Sequence, residues 1–122
     1  MRVLIVEDEV FIAMDLEVQL IDMGQQVTGI AVSKATALEM ARADRPDLAL
    51  VDLRLSGPSS GIEAAAIMRV ELGIPIVLVS GSLHELTDDD LAEIAPIALL
   101  GKPYSPTNLA AVLAKAEGDL GK

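Results

Sequence analysis

Leu48-Ala-Leu-Val-Asp-Leu53 is the stretch that decides the fold. Its apolar residues run on without alternating with polar ones, so it reads as a strand buried on both faces, the habit of parallel sheets covered by helices on both sides. Upstream, Val3-Leu-Ile-Val6 and Gln26-Val-Thr-Gly-Ile-Ala31 read as strands; downstream, Ile74-Pro-Ile-Val-Leu-Val79 and Ile97-Ala-Leu-Leu100 do the same, Pro75 being tolerable at a strand start. Segments of helical period separate them. This alternation predicts an α/β domain with a doubly wound, five-stranded parallel sheet and helices on both faces.

The helices carry start and stop signals. The first runs from about Val10 to Met23, with Gly24 placed to take the left-handed conformation beyond it. Ser33 caps the second, which ends before Asp44-Arg-Pro46. Ser60 and Glu63 stand at capping-box spacing and predict a third helix from Gly61 or Ile62 to about Leu72. Thr87 caps a short fourth helix that opens with Asp88-Asp-Asp90 and is closed by Pro96. Ser105-Pro106 opens the fifth, which runs to about Glu117.

A chain of 122 residues suits one domain, spanning 1–122, with no output domain expected. The absence of cysteine excludes disulfides and thiolate metal sites and fits a reducing compartment. No apolar run is long enough for a signal core or a membrane span, so a cytoplasmic location is expected. The net charge of −10, from 19 acidic against 9 basic residues, argues against nucleic acid as a partner, because binding phosphate backbones needs a basic face. One Phe and one Tyr also leave little for stacking on bases.

In an open parallel sheet the carboxyl ends of the strands share one edge. Glu7 and Asp8 follow the first strand, Asp52 ends the third, Ser80 follows the fourth and Lys102 the fifth. Two carboxylates about 4 Å apart repel by roughly 4 kcal/mol at an effective dielectric near 20, so a cation or shared protons must compensate. Hard oxygen ligands favour Mg²⁺, which takes one or two carboxylates and bridges to phosphate. Lys102 and Ser80 add a cation and a hydroxyl able to neutralise a phosphoryl group in transfer. Asp52 is the candidate nucleophile. Singly, each residue has a blander reading as a turn, cap or solvated surface group; it is the joint placement that points to chemistry. His84, in a polar loop, reads as solvated.

The segments Val6-Glu7-Asp8-Glu9, Val51-Asp52-Leu53, Val79-Ser80-Gly81 and Gly101-Lys102-Pro103-Tyr104 resemble the hallmarks of the receiver domain of bacterial two-component response regulators, of the single-domain type, over essentially the whole chain. The resemblance implies the flavodoxin-like strand order 2-1-3-4-5. It also implies that Asp52 accepts a phosphoryl group from the phosphohistidine of a sensor histidine kinase or histidine phosphotransfer protein, and that the signal passes to a downstream protein partner. Asp8 and Asp52 would ligate Mg²⁺ directly, Glu7 through water, and the backbone carbonyl of Arg54 would complete the set. Ser80 and Lys102 would hold the phosphoryl oxygens, and the Lys102-Pro103 peptide would be cis.

The chain departs from the family pattern at two places. Leu99 stands where the family commonly has Tyr or Phe, and the loop after Asp52 runs about one residue longer than the family's, displacing Pro58. Without the ring, the signal is expected to travel through the fourth helix and the polar loop before it, a segment of low local stability expected to be mobile without phosphate and to become ordered as Ser80 and Gly81 are drawn toward the phosphoryl oxygens. Competing readings are an unphosphorylated pseudo-receiver adaptor, a receiver fragment of a longer regulator, and a hydrolase of the haloacid-dehalogenase type. The last needs a second aspartate two residues on, where Arg54 stands.

Helix 1 carries two apolar stripes. Ile12, Leu16, Leu20 and Met23 form one; Val10, Phe11, Met14, Val18 and Ile21 form the other, about half a turn away. The second stripe is either covered in part by helix 5 or is a docking face for the helices of a kinase or phosphotransfer protein, or for a second copy of the chain in a homodimer.

Overall fold

In the computed structural model, which describes residues 1–55 and 60–120, the strands β1 (Arg2–Val6), β2 (Gln26–Ala31), β3 (Leu48–Asp52), β4 (Ile76–Ser80) and β5 (Ala98–Gly101) form one parallel sheet in the order β2-β1-β3-β4-β5. The expected doubly wound architecture and strand order are both present. The displaced Pro58, in the loop after Asp52, lies outside the described residues. Among the described residues the helices are α1 (Val10–Asp22), α2 (Lys34–Ala43), α3 (Ser60–Val70), α4 (Asp88–Ile94) and α5 (Pro106–Leu120).

β3 lies at the centre of the sheet with every residue buried, which explains its lack of alternation. Ala49 and Val51 face a core shared with α2, α3 and α4, whereas Leu48 and Leu50 face one shared with α1 and α5. Period-2 side chains thus serve two apolar layers, one on each face. No helix among the described residues is long and apolar enough to cross a membrane.

Several boundaries differ from the expected ones for local reasons. β4 starts at Ile76 because the Ile74 amide bonds back to the Met68 carbonyl and Pro75 has only its carbonyl to contribute, which accepts from the Ala49 amide. β5 is shifted by one residue, to Ala98–Gly101, although the Ile97 amide still bonds Ile76 at 2.8 Å. Ser60 is the first residue of α3 rather than its cap, and the helix stops at Val70. α5 runs on to Leu120, taking in Gly118. Gly24 has φ +84, as its place after α1 requires. α4 has the expected Thr87 cap, in a capping box with Asp90, and ends at Ala95 in the left-handed conformation. A 3₁₀ turn over Leu83–Glu85, which the sequence did not announce, precedes it.

Helix α5 does not cover the second stripe of α1. Phe11 is 87% exposed, and Val10, Met14, Val18 and Ile21 are exposed with it. Its buried residues, Ala13, Leu16 and Leu20, pack on the sheet.

Candidate functional site

Register and backbone bonds bring the strand ends together. Asp52 pairs with Val79 and Ser80 with Gly101; the Lys102 amide donates to the Ser80 carbonyl at 3.0 Å, and the Glu7 amide to that of Ala31 at 2.9 Å. The Lys102-Pro103 peptide is cis, as the resemblance implied. α3 abuts the end of β3 so closely that a Cβ on Gly61 would lie 2.5 Å from the Leu53 carbonyl oxygen and closer still to that of Asp52. Only glycine allows this approach.

At this edge Lys102 Nζ donates to Glu7 Oε1 at 2.8 Å and to Asp52 Oδ2 at 2.6 Å. The other oxygen of Asp52, Oδ1, accepts from the Arg54 amide at 2.8 Å. Glu7 is 3% exposed and Asp52 8%, so the cluster is largely withdrawn from water. Burial, then a hydrogen bond with Asp52, pushes Glu7 up to about 7 against the pull of Lys102. Burial also works to raise Asp52, but the bonds from Glu7, Lys102 and the Arg54 amide outweigh it and hold Asp52 below the usual carboxylate range. Lys102 is itself raised, since its two carboxylates outweigh the cost of burial. Burial raises the neighbouring Tyr104 as well. Below about pH 7 a proton on Glu7 facing Asp52 leaves one net carboxylate charge beside one ammonium.

The sequence-predicted residues are gathered unevenly. Glu7, Asp52 and Lys102 meet in direct contact. Ser80 is buried beside them, but its Oγ accepts from the Ser82 amide at 2.9 Å. Asp8 is exposed, and among the described residues no three acidic or imidazole groups stand together at metal-binding range. The donor set nonetheless fits a hard divalent cation. Glu7 Oε2 is buried without a partner, the Asp52 carboxylate shares the Lys102 ammonium with Glu7, and Asp8 follows on the next residue.

One contact was not foreseen. The Arg54 guanidinium leaves the cluster and binds Glu85 in the 3₁₀ turn, Nη2 lying 2.5 Å from Oε1 and 2.7 Å from Oε2. Nothing in the sequence pairs residues 31 apart; only the strand order brings the two loops together. His84 is exposed, as expected.

Fold and site together define an α/β module with a buried carboxylate-lysine cluster at the carboxyl edge of its sheet. The chain belongs to the response regulator receiver domain family, whose model matches residues 3–114, and it is a receiver domain of the kind found in two-component response regulators. It is 33% identical over 116 residues to the phyllosphere-induced regulator PhyR of Methylorubrum extorquens, covering 94% of this chain and 43% of that one. It is also 32% identical over 108 residues to the transcriptional regulatory protein PdtaR of Mycobacterium tuberculosis, covering 88% and 52%. The chain thus spans about half the length of these relatives. Among solved structures it resembles the receiver domain of a modulated diguanylate cyclase from Desulfovibrio desulfuricans, with TM-score 0.84, 30% identity and coverage of 98% and 95%. The receiver domain of PhyR from Erythrobacter litoralis gives TM-score 0.85 at 29% identity, covering 96% and 89%. The family is a signalling one that works with kinases and downstream partners and generally uses Mg²⁺.

Proposed function

We propose that this chain accepts a phosphoryl group on Asp52 from a phosphohistidine partner, a sensor histidine kinase or histidine phosphotransfer protein, and signals by protein contact. The observation that carries this reading is the Lys102 ammonium set between Glu7 and Asp52 at 2.8 and 2.6 Å. It holds Asp52 ionised, and therefore nucleophilic, at neutral pH, while keeping one cation where phosphoryl oxygens arrive.

In the transfer an Asp52 oxygen bonds to phosphorus as the histidine N–P bond breaks, and that electron pair stays on the imidazole. The bond from the Arg54 amide orients the carboxylate, and Lys102 neutralises charge on the phosphoryl oxygens. Ser80, released from the Ser82 amide, donates its hydroxyl to one of them. Glu7, Asp8, Asp52 and the Arg54 carbonyl would hold Mg²⁺, which when bound supplies further neutralisation of the phosphoryl charge. The exposed stripe of α1 borders a groove of about 540 Å³ that reaches Lys102, Pro103 and Tyr104, and this is where the partner's helices would dock.

Incubation with acetyl phosphate and Mg²⁺ tests the reading. Labelling that saturates near one phosphoryl group per chain supports it; continuing turnover would favour a hydrolase, and no labelling a pseudo-receiver.

A further inference from the structure

The side-chain pair formed by Arg54 and Glu85 takes no part in the transfer just described, although the Arg54 backbone does. We propose that the Arg54 guanidinium is a second cation for the phosphoryl group, and that Glu85 holds it away until Asp52 is phosphorylated. This inference rests on the acceptor role of Asp52.

Before transfer, a single ammonium serves both Glu7 and Asp52. Afterwards the Asp52 carboxylate has become an acyl phosphate whose phosphoryl oxygens carry close to two negative charges; against these and the carboxylates of Asp8 and Glu7, Lys102 and the Mg²⁺ the site would hold leave negative charge unmatched once Glu7 is ionised. Arg54 is the nearest further cation along the chain, two residues on, with its own amide already on Asp52 Oδ1. Its present partner is held weakly. The side chains of Arg54 and Glu85 are 59% and 53% exposed, and exposed pairs contribute little. A phosphoryl group offers the guanidinium a better-matched, charge-assisted partner, so the exchange runs toward the phosphoryl group.

The exchange also has a structural consequence. The loop after β4 is tied to the site at two points, the Ser82 amide on Ser80 Oγ and Glu85 on Arg54. Both tethers end on groups that the phosphoryl oxygens recruit. Phosphorylation then releases the 3₁₀ turn over Leu83–Glu85, and α4 beyond it, at once. That supplies a readout in a chain where Leu99, 44% exposed on β5, offers no ring to rotate.

Backbone amide exchange over residues 82–87, together with beryllofluoride affinity in Mg²⁺, tests the proposal in the full chain. Without any ligand, Glu85→Gln should lose protection in this loop, and its beryllofluoride affinity should rise by up to about fivefold, the factor an exposed pair of this kind carries. Arg54→Met, which keeps the backbone carbonyl, should loosen the same loop but weaken beryllofluoride binding. Opposite signs in two variants that break the same pair are not produced by general damage. Unchanged loop protection in ligand-free Glu85→Gln, or affinities that move in the same direction in both variants, would overturn the proposal. Failure of the wild type to bind beryllofluoride would overturn the acceptor reading along with it, and the ligand-free exchange would still show whether the pair tethers the loop.

Discussion

Replacing Glu7 by Gln should change how stability depends on pH, by an amount that follows from the site. Glu7 titrates near 7 in the folded chain against an ordinary value of 4.5, so between these values the folded state holds a proton that the unfolded chain has released. Stability therefore falls as pH rises through this window and levels off above it. At about 1.4 kcal/mol for each factor of ten, the gap sets a ceiling of roughly 3 kcal/mol. The Glu7 side chain is 5% exposed, which argues against much solvent screening, while its partner Lys102 is 24% exposed. A realised loss of about 1 to 3 kcal/mol is expected. The opposing groups lie outside the window: Asp52 is held below 3.8, so its contribution is lost only in stronger acid, and Lys102 is raised above 10.5, so its contribution is lost only in strong base. Glutamine keeps the local geometry, since its amide can donate toward Asp52 and its oxygen can accept from Lys102, but it cannot ionise. Urea unfolding followed by circular dichroism in EDTA, from pH 5 to 8.5, gives the measurement. Wild type and Glu7→Gln should agree most closely at pH 5 and diverge as pH rises, the variant becoming the more stable. A pH-independent difference, or a wild type that gains on the variant toward alkaline pH, would refute the reasoning.

Gly61→Ala places a methyl group against the Asp52 and Leu53 carbonyls; it should destabilise the fold by about 1 to 3 kcal/mol and slow labelling of Asp52, both measurable on one preparation by urea unfolding and acetyl phosphate labelling. Phe11→Glu combined with Met14→Glu, at two exposed positions of α1, should leave the fold intact and slow transfer from a phosphohistidine protein far more than labelling by acetyl phosphate; an equal effect on both would sink the docking assignment. Asp52→Asn should retain the fold but be less stable than the wild type at neutral pH in metal-free buffer, because Asp52, held below its ordinary value by Glu7, Lys102 and the Arg54 amide, contributes stability as a carboxylate that an amide cannot supply; thermal unfolding in EDTA checks this, and an equal or higher midpoint would contradict it.

The sheet was legible in the sequence because a strand buried on both faces cannot alternate, and Leu48-Ala-Leu-Val-Asp52 does not. Caps were legible where one side chain acts within a few residues, as with Ser33 and Thr87, both of which form capping boxes in the structure. What escaped depends on packing across the fold. By spacing alone the Glu7-Asp8 pair reads as two equivalent carboxylates, and the resemblance gave Asp8 the direct role toward the metal, yet only Glu7 turns inward to meet Lys102, because side chains at successive positions leaving a strand point to opposite sides. The link between Arg54 and Glu85 joins two loops through the order of the strands, and no local signal encodes it. Whether the second stripe of α1 would be covered depended on where α5 lay. It packs through Leu109, Leu113 and Ala116 on the sheet and leaves Phe11 to solvent.

Reductive trapping shows whether Asp52 is the residue that carries the phosphoryl group. Borohydride converts an aspartyl phosphate to homoserine, which peptide mass spectrometry can locate. After incubation with acetyl phosphate and Mg²⁺, homoserine should appear at position 52 in the wild type and nowhere in Asp52→Asn. Homoserine at position 8 or at another carboxylate, or none in a wild type fully exposed to the donor, would rule Asp52 out as the phosphoryl acceptor.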